Sequence, residues 1–180
     1  MALKKQWYEI VAPEMFGSRV IGETLAAEDK SLLGRVIETS LLELMKNYQR
    51  FFVKLRFRVE KIEGGRVYTK FIGHACTSET AYRIVQRRTC KVDCIQDVVT
   101  EDGVKIKVST VAVLSRRVKT SIKNSTRKFV REMISEYASG SESGKFIDSV
   151  IKGELQGKIR RACNRIYPLS NIEITKTKLY

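Results

Sequence analysis

Histidine is nearly missing from these 180 residues: His74 is the only one. Any Ser-His-Asp scheme or imidazole-based metal site would have to be built on that single side chain. Gly73-His74 ends a strand-like run with no nucleophile motif beside it, so His74 reads as a partly buried hydrogen-bonding residue. The four cysteines (Cys76, Cys90, Cys94 and Cys163) are too few and scattered for a disulfide scaffold, and they contain no C-x2-C pair. They read as small buried hydrophobes, with no metal expected. Phosphate-cradling loops of the G-x-x-x-x-G-K-[ST] or G-x-G-x-x-G type are absent, as are the H-x-E and H-E-x-x-H signatures. The densest acids, Asp93, Asp97, Glu101 and Asp102, fit no catalytic pair. On one strand face Asp93 and Asp97 would lie about 13 Å apart at ~3.3 Å per residue, too far to share a metal. No cofactor and no enzyme activity are expected.

Long apolar runs are also lacking. Val111 to Leu114 is among the longest, against the roughly 20 residues that a membrane span needs. The opening Met1-Ala2-Leu3-Lys4-Lys5 leads into Trp7-Tyr8-Glu9 with no apolar h-region. Ala2 stands where myristoylation needs a glycine, and no prenylation cysteine lies near Tyr180. A cytoplasmic chain with no membrane partner is the expectation. Negative charge is the last scarcity. Twenty Asp and Glu face 34 Lys and Arg, a formal net of +14. A chain this cationic repels itself and attracts polyanions, with nucleic acid first among them.

What is present is patterned. Residues 1–33 read as an extended arm, because Pro13, Gly17 and Gly22 break any helix. Val36 to Leu44 is strand-like, although its end at Leu41–Met45 also fits a helix. From Phe51 to Glu60 the chain alternates, with Phe51, Val53, Leu55, Phe57 and Val59 on one side and Lys54, Arg56 and Arg58 on the other. Period two means a half-buried strand. Gly64-Gly65 then turns it into a second strand, Val67 to Ile72. Thr77 or Ser78 can cap a helix to about Arg88. Val92–Val99 and Val104–Leu114 form another hairpin across Glu101-Asp102-Gly103. A helix follows from about Ser125, with Phe129, Val130, Met133, Ile134 and Tyr137 at helical spacing. Ser139–Gly144 reads as a flexible joint and the best candidate boundary, followed by two short helices and a last strand at Asn171–Leu179. The expected class is α+β: an antiparallel, barrel-like sheet with peripheral helices. Three parts follow: the arm (1–33), the core with its basic segment and helix (34–138), and a small helical part with a final strand (139–180).

The surplus charge is localised. Residues 101–130 hold eight basic side chains against two acidic ones. Within them Arg116, Arg117, Lys119, Lys123, Arg127 and Lys128 occur with no acid between, and arginine forks suit phosphate oxygens. Lys54, Arg56 and Arg58 form a second one-sided basic face, and Arg160 and Arg161, with Arg165, a third. Lys4 and Lys5 suit phosphate. Trp7, with Tyr8 and Tyr68, either stacks on bases or packs against protein. These cations and Trp7, leaving Arg165 and the tyrosines aside, are the candidate RNA-binding residues. A freestanding OB-like module for single-stranded RNA or DNA is the alternative reading.

Several stretches together resemble one family. They are Lys5-Gln6-Trp7-Tyr8 through Ala12-Pro13-Glu14-Met15-Phe16, Ile21-Gly22-Glu23-Thr24, Gly34-Arg35-Val36 with Ser40-Leu41, and Phe71-Ile72-Gly73-His74. Asp102-Gly103, Arg116-Arg117 and Ile166-Tyr167-Pro168-Leu169 complete the set. In this order the chain resembles the archaeal and eukaryotic small-subunit ribosomal proteins of the eukaryotic-type S-one, or S-three-A-e, family. The resemblance spans essentially the whole chain, and its K-x-W-Y…A-P-x-M-F opening with the late I-Y-P-L is quite specific. Eukaryotic members carry a long C-terminal extension that is not seen here, which implies the archaeal branch. The resemblance also implies a barrel-like domain on the platform of the small subunit. Its implied partners are rRNA near the 3′ end, neighbouring ribosomal proteins, and mRNA at the exit channel.

Overall fold

The computed structural model describes residues 5–45 and 48–180, which fall into two compact units, Met1–Ala75 and Cys76–Tyr180. The first unit is built from β1 (Gln6–Val11), β2 (Val20–Ala26), β3 (Val36–Ser40), β4 (Val53–Glu63) and β5 (Arg66–Cys76), with a short helix α1 (Leu41–Met45). The alternation in β4 is realised: Val53, Leu55, Phe57 and Val59 are buried while Lys54 and Arg58 are exposed. Phe51 is a correction, since it precedes the strand and is 61% exposed. Gly64 and Gly65 have φ of 57° and 83°. Consecutive positive values suit a type I′ turn, whose twist matches the flanking strands.

Residues 6–26 do not form the expected arm. They make an antiparallel hairpin, in register from Gln6↔Ala26 to Ile10↔Gly22, and β1 continues in parallel beside β5 from Glu9↔Arg66 to Val11↔Tyr68. Pro13 and Gly17 instead flank a single 3₁₀ turn, Glu14–Phe16, that closes this hairpin. Tyr8 and Ile10 supply a buried alternate face, and the Tyr8 hydroxyl donates to Asp29 at 2.6 Å. Phe16, in the turn, completes an aromatic cluster with Phe57 and Phe71, at centroid separations of 5.4 and 5.5 Å. The strands run β2-β1-β5-β4-β3. Among the described residues no ladder joins β2 to β3, so barrel closure is not seen, and the β1–β5 pair makes the unit mixed rather than purely antiparallel.

In the second unit β6 (Cys90–Val99), β7 (Lys105–Leu114) and β8 (Leu169–Leu179) are antiparallel in that order. Helices α2 (Ser78–Arg83), α3 (Thr120–Ser139), α4 (Ser143–Lys152) and α5 (Glu154–Cys163) complete it. Val130, Ile134 and Ala138 recur at four-residue spacing on α3 and meet Phe146, Leu155 and Ile159 over the inner faces of Ile106 and Val108. Two boundaries differ from expectation. Helix α2 stops at Arg83, not near Arg88, and α3 starts at Thr120, not Ser125. Thr120-Ser121 and Asn124 are weak helix formers. Burial of Thr126, whose hydroxyl donates back to the Ile122 carbonyl, recruits that extra turn.

The Ser139–Gly144 joint is pinned by hydrogen bonds rather than left as the flexible linker its composition suggests. The Ser143 amide and hydroxyl both donate to the Asp102 carboxylate, at 2.8 and 3.1 Å, and Glu101 N donates to Ser141 O. Asp102 therefore caps α4 from the β6–β7 turn, doing what a local N-cap usually does. Asp102→Ala is expected to cost about 1 kcal/mol, a fall of roughly 3 °C in Tm for a chain of this size. An unchanged melting curve would show that the cap is idle.

Cys90, Cys94 and Cys163 lie in this core. Burial pushes the Cys163 thiol up to about 11 and raises that of Cys94 despite nearby Arg127 and Arg131. Protonated thiols make poor metal ligands. Among the described residues no group of three or more His, Cys, Asp or Glu could hold a metal, and no helix is long and apolar enough to cross a membrane.

Candidate nucleic-acid interface

The acid-free segment sits where β7 gives way to α3. Leu114 pairs with Leu169, and Ser115 extends that ladder by donating its amide and hydroxyl to the Pro168 carbonyl, at 3.2 and 3.0 Å. The chain is thus clamped at residue 115, and Arg116, Arg117 and Lys119 follow it, exposed, before the helix begins. Lys119 is the N-cap of α3, no side chain caps the first turn, and that turn contains no acid. Lys123 is half-exposed one turn on.

This arrangement is electrostatically one-sided. The first amides of a helix lack intrahelical acceptors and carry the positive end of the macrodipole. Placing four cations there sums like charge where helices ordinarily place Asp or Glu. Among the described residues none of those four side chains has an ion-pair or hydrogen-bond partner. An approaching phosphate would meet free N–H donors and guanidinium forks together.

The Ser115–Pro168 contact also brings in the third basic group. Leu169 N donates to Asn164 Oδ1 at 3.4 Å, so residues 164–168 fold back beside residue 115 with exposed Arg165 among them. Arg160 and Arg161, both exposed, occupy the last turn of α5 just before. That position also suits the negative end of the helix dipole, so these arginines are favourable in the free protein.

The remaining candidates divide. Arg56 is held by Glu38 at 2.6 Å, whereas Lys54 and Arg58 beside it are exposed with no partner among the described residues. Lys128 has only an exposed pair with Glu132 at 3.8 Å. Lys5 is exposed, and Lys4 lies outside the described residues. Trp7 is 67% exposed on the outer face of β1, in register with partly exposed Leu25, and so is not a core residue; Tyr8 is.

Arg127 has a structural job. Its Nε donates to the Asp93 carbonyl at 3.1 Å, and Arg131 Nη2 donates to the Ile95 carbonyl at 3.2 Å. Both carbonyls lie on β6, the edge strand of β6-β7-β8, so α3 straps an edge that could otherwise recruit another strand. Arg127→Lys keeps the charge and loses the fork. We expect it to cost about 1 kcal/mol in a thermal melt, the scale of one net hydrogen bond. A variant as stable as the parent would mean that the strap contributes nothing.

Reading by segment missed Arg83, Arg87 and Arg88. They are exposed around α2 with Tyr82, which is 79% exposed, and Arg88 adopts φ 67°, unusual for a non-glycine residue. Acids at Glu79, Asp93 and Asp97 diluted that stretch in the count. A run of three arginines within six residues beside a tyrosine was the available signal.

Comparison with known proteins accords with this geometry. Residues 2–180 match the model of the Ribosomal S3Ae family. Proteins called small ribosomal subunit protein eS1 are similar along almost the whole chain. That of Methanothrix thermoacetophila is 38% identical over 97% of this chain and 83% of its own length. That of Sulfurisphaera tokodaii is 37% identical over 97% and 91%. That of Archaeoglobus fulgidus is 37% identical over 97% and 84%. With a match this continuous, the chain belongs to the Ribosomal S3Ae family.

Proposed function

We propose that this chain is a structural constituent of the small ribosomal subunit, cytoplasmic as part of the ribosome, and that it orders rRNA rather than catalysing a reaction. The observation that carries the proposal is the start of α3, where four cations share the positive end of a helix with no acid in its first turn. Such a site is self-repelling in the free protein and is neutralised by ribose-phosphate. Arg116, Arg117, Lys119 and Lys123 hold the backbone there, and Arg160, Arg161 and Arg165 extend the same end of the second unit. In the first unit Lys5, Lys54 and Arg58 touch phosphate and Trp7 stacks on a base or on a neighbouring ribosomal protein. The relatives' shared name, small ribosomal subunit protein eS1, supports the assignment.

The finer placement follows the family resemblance: the platform of the subunit, against rRNA near its 3′ end, with mRNA passing at the exit channel. Contacts of this kind read backbone and shape rather than sequence. Sedimentation of a lysate at moderate salt tests the reading. The chain should travel with small subunits, and a chain that stays among free proteins would favour a freestanding RNA-binding module instead.

A further inference from the structure

We infer that the outer face of β6-β7-β8, opposite the helices, is a second RNA surface that takes an unpaired strand. The inference rests on the ribosomal reading above but concerns different residues. The register writes the face out as three rows. Val99 pairs with Lys105, whose carbonyl accepts the Tyr180 amide. Asp97 pairs with Lys107, which pairs with Lys178. Ile95 pairs with Ser109, which pairs with Lys176. All four lysines are exposed, and Val99, Ile95 and Tyr180 are 51%, 55% and 69% exposed.

Folding does not account for this composition. Lys107 and Lys178 stand directly opposite, and like charges in that position are destabilising. Lys105 and Lys176 lie on the diagonals and add to the repulsion. The one acid in these rows, Asp97, lies beside Lys107 but makes no ion pair, and among the described residues none of the four lysine side chains has a hydrogen bond or ion pair. Lys178 Nζ rests over the Tyr180 ring at 4.7 Å, a contact that leaves its charge uncompensated. The large side chains in the outer two rows, Val99, Ile95 and Tyr180, are half or more exposed.

A polyanion with flat apolar faces satisfies both features. An RNA duplex offers phosphates and 2′-hydroxyls but no base faces, so Ile95, Val99 and Tyr180 would stay wet against it. A single strand lays its bases on such side chains and its phosphates on the interleaved lysines, without regard to sequence. An acidic peptide would meet the charge but could not gain ladder bonds at the β6 edge, where Arg127 and Arg131 occupy the carbonyls.

The test uses the full chain and three probes: a fluorescent uridine 20-mer, an RNA duplex and polyglutamate. Replacing Lys105, Lys107, Lys176 and Lys178 with Ala should weaken the 20-mer at least ten-fold. The slope of log affinity against log salt should become shallower by about 3, from ~0.7 per phosphate. Duplex binding should change less than two-fold, and the variant should still sediment with small subunits. Lys178→Glu guards against a folding artefact: it faces Lys107, so it should keep or raise Tm while weakening the 20-mer. Unchanged 20-mer binding in either variant overturns the inference, as does a loss seen with polyglutamate alone. Failure of the wild-type chain to sediment with small subunits overturns the ribosomal reading instead and leaves the 20-mer result to judge this surface.

Discussion

A chain in which Arg116, Arg117, Lys119 and Lys123 are all changed to Glu should fold and no longer enter small subunits. On the proposed function, each replaced cation removes a phosphate contact and substitutes a repulsion. A loss of four contacts flattens the salt dependence on duplex rRNA by about 3.6 in log–log slope, from ~0.9 per phosphate. Binding to small-subunit rRNA should fall at least a hundred-fold at moderate salt. The fold is spared because the four side chains are exposed or half-exposed and hold nothing in place. The variant should even gain stability, since acids near a helix N-terminus contribute about 0.3–1 kcal/mol each against the macrodipole. A small rise in Tm combined with absence from subunits is the signature. A misfolded variant would show the opposite melt, and normal incorporation would remove the basis of the functional reading.

Why that segment was legible and others were not has a physical basis. Charge survives any fold error, because an acid-free run is cationic wherever it lies, so Arg116 to Lys123 were found without knowing that α3 starts at Thr120. The strand alternation at Val53–Val59 was equally robust, since period two leaves one answer for a half-buried element. Long-range partners were invisible. Arg127 looked like its basic neighbours, and only the fold shows its guanidinium on the Asp93 carbonyl. Asp102 stood out in the sequence only as one of four clustered acids with no catalytic partner, and it caps a helix that begins 41 residues later. The lysine rows on β7 and β8 come from segments about 70 residues apart, so no window along the chain could join them. Charge counted along the sequence finds clusters that are local. Register finds the rest.

The N-terminal hairpin is the clearest case of local signals misleading, and it motivates the last prediction. Pro13, Gly17 and Gly22 suggested an arm, yet residues 6–26 form a hairpin whose turn reaches a distant partner, the ring of Phe57. That ring is fully buried and packs edge-on against Phe16 from the hairpin turn at 5.4 Å, and against Phe71 of β5 at 5.8 Å. Phe57→Ala deletes the shared member of the cluster. Core Phe→Ala substitutions cost about 3–5 kcal/mol, because lost transfer energy and an unfilled cavity add. With total stability of roughly 5–15 kcal/mol that is a severe loss, and Tm should fall by about 10 °C. Phe57→Leu fills most of the volume and should cost less than half as much, about 1–2 kcal/mol. The hairpin should loosen first, because Phe16 holds its turn to the rest of the unit through this cluster. Amide exchange at Tyr8, Ile10 and Val11 should therefore accelerate in the Ala variant more than exchange in β7. If the hairpin amides kept their protection while Tm fell, the hairpin would be held by its own ladder and its pairing with β5. The aromatic cluster would then be core filling without a role in docking the turn.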